Sequence, residues 1–406
     1  MLNILAYSQI FTYISNPMKS IIDKNSYRLL LLVLFSVLIR FLLLQFIEDG
    51  YNYWVKITVC ILILVLGVIF VLKKAADVIE ETTEVLSGRT NLASGLLQSI
   101  GTAFPDMALG VVAALISLKM RATDTQAAIN YALIAASTTF GSNIFNVAQA
   151  TWCIYRQNVA NAKDKVVLMF PKVKSLGQLK PLRLHKNQLG INELQVSLDA
   201  INALTILTTI VAITMVLFGK VSDPSLITSG DIYQLIRPVG IVILIACLFV
   251  LYSFRHSQHQ LSNIDKIEKG EKYFEQKSSL FILVNLVIAG IAILFTAEAM
   301  IRSIELFCQL TGVPLVLAGA LSGLIGCLGE MIVVHDFSVH PNGRLGDAIM
   351  GVAMDNIVTT FGASIVAVMG GIFLGGSSLI MIFVVILALN TTLMWQIGKL
   401  QPYIRK

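Results

Sequence analysis

Charge is what this sequence has least of. Asp, Glu, Lys and Arg make up 13% of its 406 residues, about half the share found in an ordinary soluble domain. By contrast 56% of the residues are hydrophobic and the mean hydropathy is +0.78. A water-solvated fold cannot hide that much apolar chain, so lipid must solvate much of it. Cysteine is sparse as well. Cys60, Cys153, Cys247, Cys308 and Cys327 are odd in number and scattered, with no CxxC spacing. That excludes a disulfide framework or a zinc knuckle and leaves reduced packing residues. A basic tract is also missing. The net charge of +6 is spread over segments between apolar runs, the pattern of topology determinants and not of a nucleic-acid groove.

What the chain does have is long apolar runs. Counting stretches of roughly 20 apolar residues predicts about ten membrane spans. They lie near 27–47, 53–73, 91–118, 125–152, 197–219, 234–254, 279–299, 313–334, 345–372 and 376–397. The first run carries Arg40 and is followed by Glu48 and Asp49, not by a small-residue cleavage site, so it reads as a retained span. Lysine-rich segments alternate with poor ones in step with these crossings. The positive-inside rule then puts both termini, the 153–195 loop and the 255–278 loop in the cytoplasm. The mixed charges of Lys269–Lys272 suit a solvated connector. The expected organisation is residues 1–50 as a cytoplasmic segment with an extra span and 51–254 as a first half. Residues 255–278 follow as a connecting loop, and 279–406 as a second half.

Two stretches repeat across the middle of the chain. Asp106 is followed at a distance by Thr138-Thr139-Phe140-Gly141, and Glu330 at nearly the same distance by Thr359-Thr360-Phe361-Gly362. An odd number of crossings separates the two acid-bearing helices, so the repeat is inverted. That architecture puts a binding site near the bilayer midplane, where the halves meet. The expected fold is an all-α membrane protein of about ten transmembrane helices in two inverted-topology repeats.

Asp106 stands near the centre of its run, where an ionised carboxylate costs on the order of several kcal/mol unless compensated. Pro105 removes a backbone donor beside it, and Gly101 and Thr102 lie one turn earlier. The helix is expected to kink or unwind there and to present carbonyls, a hydroxyl and a carboxylate, an oxygen set that suits a hard cation. Glu330 takes the same place in the second half, with Gly326 and Gly329 loosening its helix, at a depth nearer the cytoplasmic end. Two facing carboxylates repel unless a cation or a proton lies between them. Thr102, Ser142, Asn143 and Asn146 offer neutral oxygens. Asp355 and Asn356 add polar atoms in the ninth span.

At these residues the chain resembles the cation/calcium exchanger superfamily, which includes the sodium/calcium exchangers. Its two inverted repeats each carry a Gly-Thr-Ser-x-Pro-Glu/Asp element and a Gly-Ser-Asn-x-x-Asn/Asp element. Gly101 to Asp106 matches the first with Ala103 in place of serine, and Gly141 to Asn146 matches the second. The second repeat departs from the pattern. Cys327 and Gly329 replace a hydroxyl residue and the proline, and Ala363 and Ala367 stand for serine and Asn/Asp. The resemblance implies two five-helix halves and secondary active antiport, with calcium exchanged for sodium or, given the thinner donor set, for protons. It implies calcium or sodium held as a metal by Asp106 and Glu330, with Thr102, Ser142, Asn143, Asn146, Asp355 and Asn356 as further cation ligands. No resident cofactor, no catalytic residue and no nucleic-acid partner are expected; the partners are the lipid bilayer and small inorganic cations.

Rival readings carry less. Gly343-Arg344-Leu345-Gly346-Asp347 faintly resembles the Gly-x-Gly-Asp of aspartyl intramembrane proteases, without the right spacing. Glu330, His335, Asp336 and His340 invite a zinc site, but HExxH is absent, and the two histidines read as loop residues. A scaffold that moves no ion is the third alternative.

Overall fold

The computed structural model describes residues 24–48, 52–90, 94–182, 190–218, 232–257, 273–340, 345–370 and 377–403. The expected loop around Ser222 to Asp231 and most of the 255–278 segment, Lys269–Lys272 included, lie outside these residues. The described chain is an all-α membrane fold with one small hairpin. Helix α1 (24–48) and helix α2 (53–90) each run through a π-helical stretch, Leu38–Leu43 and Gly67–Leu72. Then come α3 (Ser94–Met120), α4 (Thr125–Lys163), the hairpin strands β1 (Val167–Phe170) and β2 (Val173–Leu179), α5 (Ile191–Phe218) and α6 (Ile232–Ser257). The second half follows as α7 (Ser279–Thr311), α8 (Leu315–Gly326), α9 (Leu328–Val339), α10 (Leu345–Met369) and α11 (Ser377–Gly398).

Among the described residues seven helices are long and apolar enough to cross a membrane. The pair α8 and α9, bent by 50° at their junction, makes an eighth if counted as one span. One expected span falls short by composition: helix α4 is 39 residues long but buries Ser137, Thr138, Thr139, Ser142, Asn143 and Asn146. Of α6 the side chains of Val239–Ser253 are described, an apolar stretch.

The chain directions follow from side-chain neighbours. Along α3 and α4 the numbering runs oppositely. A methyl group on Gly110 would meet Thr139, whereas Ser117 Oγ donates to the Ala128 carbonyl at 2.7 Å. Along α4 and α8 it runs together, since Gly319 abuts Ser137 and Gly323 abuts Thr138 and Ser142. The helix bearing Asp106 therefore runs against the segment bearing Glu330, as an inverted repeat requires. Gly319 and Gly323, four residues apart, let the α8 backbone approach that of α4. A methyl group added at Gly323 would lie 2.6 Å from the Ser142 amide nitrogen, and one on Gly141 would lie 2.6 Å from Ala320 Cα.

Three local expectations need correction. Residues 153–195 are not a plain loop: α4 stays helical to Lys163, with Cys153, Ile154, Gln157, Ala160 and Asn161 buried at helical spacing. The antiparallel hairpin follows, pairing Val167 with Leu179 and Phe170 with Val173. Arg156 of α4 fixes it by donating to the Leu168 carbonyl at 2.7 Å, and Phe170 stacks between Trp152 and His335. His335 is accordingly a helical residue of α9, not a loop residue, because the hairpin gives its ring a partner; His340 follows the last residue of that helix. The third concerns Pro105, which stands inside α3 without ending it. The break falls instead at Cys327, between α8 and α9. A proline in a long helix forfeits its own hydrogen bond, whereas a Gly-Cys-Leu-Gly run has little to hold a helix straight.

The extra helix α1 is tied to α7 by Arg40. Its Nε and Nη2 donate to the two oxygens of Glu298 at 2.9 and 3.1 Å, and Arg302 donates to the same carboxylate at 3.0 Å.

Candidate functional site

Asp106 lies twelve residues past Ser94 in α3, about 18 Å along the axis at 1.5 Å per residue. Helix α8 is 12 residues long and Glu330 comes in the first turn of α9. That sets the second acid fifteen residues past Leu315, about 22 Å of rise before the bend is allowed for. Glu330 stands nine residues before Val339, nearer the end of the bent pair than its start. Exposures are 1% for Asp106, 4% for Glu330 and 5% for Asp355.

Each acid is met by an element of the opposite half. The backbone of Gly326 sits against Asp106, so that a methyl group there would collide with Oδ1 and lie 3.0 Å from Cγ. Asn146 of α4 donates through Nδ2 to Glu330 Oε2, and the same amide lies 3.5 Å from Asn356 Oδ1 on α10. Asp106, Glu330 and Asp355 are within electrostatic reach of one another.

The hydrogen bonding is incomplete. Among the described residues neither oxygen of Asp106 has a partner, nor has Glu330 Oε1, Asn143 Oδ1 or Asn146 Oδ1. Ser142 faces the Asp106 carboxyl, but its Oγ donates to the Thr139 carbonyl at 2.8 Å. Buried polar atoms are seldom left this way. Five unpartnered oxygens, three of them on carboxyls, are a donor set for a positive charge. The break adds to them, since the last carbonyls of α8 have no full set of helical partners. Among the described residues no three His, Cys, Asp or Glu side chains are gathered as a metal cage would gather them. Amide, hydroxyl and carbonyl oxygens must therefore complete the shell of any ion held there. The same finding removes support from zinc at Glu330, His335, Asp336 and His340.

Of the eight residues expected to bind cations, Asp106, Glu330, Ser142, Asn143, Asn146, Asp355 and Asn356 are all buried, and all but Asn143 are linked by the contacts above. The backbone of Thr102 is helical, and its side chain lies outside the described residues. Of the protease-like motif, Gly343 and Arg344 also lie outside them; Asp347 opens α10, eight residues or about 12 Å of rise before Asp355. Sequence reasoning missed the approach of Gly326 to Asp106, which leaves no trace in composition. It also missed Glu298, Arg302 and Glu305 of α7, although acids in an apolar run are a standing signal.

No protein-family model and no curated protein matches the sequence. Among solved structures the chain is similar to YfkE, with a TM-score of 0.48 and 11% identity over 86% of this chain and 96% of that one. It is also similar to the sodium-calcium exchanger NCX_Mj, with a TM-score of 0.43 and 16% identity over 83% of this chain and 89% of that one.

Proposed function

We propose that the protein is a secondary active cation antiporter working by alternating access, and that it exchanges calcium for protons. One observation carries the reading: Asp106, 1% exposed and with neither oxygen hydrogen-bonded among the described residues, lies against the backbone of Gly326 in the oppositely directed half, four residues before the buried Glu330. A carboxylate buried like that of Asp106, with no hydrogen-bond donor, is too costly to stay ionised and empty. Either a cation or a proton must meet it, and the two compete for the same oxygens. That competition couples the two fluxes, because the site returns across the membrane carrying one load or the other.

Carboxylates, amides and carbonyls are the donors of a hard cation such as calcium. The donor count also favours the proton as counter-ion over the sodium that the resemblance implies. Sodium needs its own set of neutral oxygens, and Ala363 and Ala367 stand where the first repeat has Ser142 and Asn146. A proton needs only a carboxylate. Asp106, Glu330 and Asp355 are the groups assigned to carry it, with Asn146 and Asn356 orienting Glu330.

The test is calcium uptake into proteoliposomes of the purified protein, with sodium absent and a pH gradient imposed. Uptake driven by the pH gradient is expected, and its loss in both Asp106→Asn and Glu330→Gln. Uptake driven by a sodium gradient alone would keep the site and replace the counter-ion. Full flux in both variants would overturn the site.

A further inference from the structure

Helix α9 carries Glu330 in its first turn and is open along one side. Leu328, Ile332 and Asp336, spaced four apart, are exposed, and a methyl group on Gly329 would meet nothing within 4 Å. The hairpin bears on the far end of α9 at two places. His335 stacks on Phe170 with 5.8 Å between ring centroids and 22° between planes. Gly177 of β2, at φ +89°, comes so close to Val339 that a methyl group on it would lie 2.9 Å from Cγ1. Hydrogen bonds tie the same hairpin to α4. Arg156 donates to the Leu168 carbonyl, Gln157 Nε2 to the Lys180 carbonyl at 2.9 Å, and the Leu182 amide to Asn161 Oδ1 at 2.9 Å. Phe170 also stacks on Trp152 of α4, at 6.0 Å. The grip on α4 is hydrogen-bonded and the grip on α9 is by ring and methyl contact, so α9 is the partner that can let go. The break at Cys327 gives it a hinge. Glu330 lies three residues past that hinge and His335 eight, roughly 4.5 and 12 Å of rise. A turn of α9 about the break therefore carries Glu330 away from the Asn146 amide that donates to it.

Resting on the antiporter reading, we propose that Phe170 and His335 are positioning residues for Glu330. Their stack clasps α9 against α4 and keeps the carboxyl on the Asn146 amide. When the stack parts, α9 turns at Cys327 and opens the site on the hairpin's side of the membrane. A contact made in only one of two states biases the balance between them by its own worth. An aromatic pair is worth roughly a 2–10-fold shift, enough to favour the seated state and small enough to be reversed in every cycle.

Labelling of the purified protein with a water-soluble maleimide, resolved cysteine by cysteine by mass spectrometry, reads this turn without any flux. Cys327 sits at the hinge and is fully buried while α9 is seated. Where reclosing outpaces reaction, the labelling rate follows the open population. Phe170→Ala and His335→Ala are each expected to raise the Cys327 rate about 2–10-fold. Phe170→Tyr keeps the ring and should keep the wild-type rate. The double variant Phe170→Ala/His335→Ala should go no further than either alone, because the two changes remove one contact. Cys308, buried near the end of α7, is the internal standard. A general loss of stability speeds both thiols, whereas loosening of α9 speeds Cys327 alone. An unchanged Cys327 rate in both single variants, an equal rise at Cys308, or additive effects in the double variant overturns the proposal. Should Phe170→Ala fail to fold, His335→Ala decides on the same readout. Absence of calcium uptake in proteoliposomes would sink the antiporter reading instead, and the labelling result would still show whether the hairpin holds α9.

Discussion

The two acid-bearing segments are built to opposite plans. In the first half, α3 passes through Pro105 as one helix and Asp106 has no hydrogen bond among the described residues. In the second half no proline stands next to the acid, yet the chain breaks at Cys327 and bends by 50°, and Glu330 accepts a hydrogen bond from Asn146. The polar groups of the two halves differ where a symmetric repeat would duplicate them. The first supplies the amides of Asn143 and Asn146. The second has the broken backbone and the extra acid Asp355. The fold keeps its inversion while the site does not, because the fold depends on close backbone approach and the site on particular polar atoms.

The sharpest way to break this comparison is at the surface where the halves touch. Gly323→Ala puts a methyl group 2.6 Å from the Ser142 amide nitrogen, with the Thr138 carbonyl also in the way. Both obstacles are backbone, so neither rotates aside. Overpacking of this kind costs about 1–3 kcal/mol or more, and here it separates α8 from α4 and with them Glu330 from Asn146. Loss of the monodisperse peak in detergent, or a clear fall in Tm, is expected. A variant as stable as wild type would mean that the two backbones are not pressed together.

A smaller and more selective effect is expected at Gly326. Its added methyl group meets the Asp106 carboxyl, a side chain that can swing away, so the fold survives while the acid leaves its place. Gly329, three residues on, has open space around it. Gly326→Ala should weaken calcium uptake by about 10–100-fold, the range for disturbing what surrounds an ion's ligands, with Tm close to wild type. Gly329→Ala should transport normally. Equal behaviour of the two variants would show that Asp106 and the break do not act together.

These particulars also mark what was readable beforehand. The all-α membrane fold and the inversion were legible because long apolar runs and a duplicated Thr-Thr-Phe-Gly survive in the chain. Asp106, Asn143 and Asn146 stood out since the first repeat keeps its polar element, and Glu330 followed from spacing. The position of the break was not legible. Pro105 is the stronger local signal, but packing around α3 outweighs the one hydrogen bond that a proline removes. The hairpin was hidden because its lysines suit a solvated loop, and only the Phe170 stack on Trp152 and His335 gives it a seat. The pairing of Arg40 with Glu298 joins residues far apart in the chain, which no spacing rule can anticipate.

That last pair extends the comparison to the extra helix, where the smallest effect is expected. Glu298 has two arginine partners, Arg40 on α1 and Arg302 one turn further along α7. Arg40→Ala removes the tie to α1 but leaves the carboxylate compensated from its own helix. Both Arg40 and Glu298 are partly exposed, so the loss should be about 1 kcal/mol or less, visible as a Tm shift of a few degrees at most with calcium uptake retained. Glu298→Gln is the harsher change, because it leaves two arginines within an apolar stretch sharing a neutral amide. Its Tm should fall further than that of Arg40→Ala. If Arg40→Ala is instead the more damaging variant, then α1 is held by this contact as a structural member of the transport core, and the division into two halves plus an added helix gives way to a core that includes it.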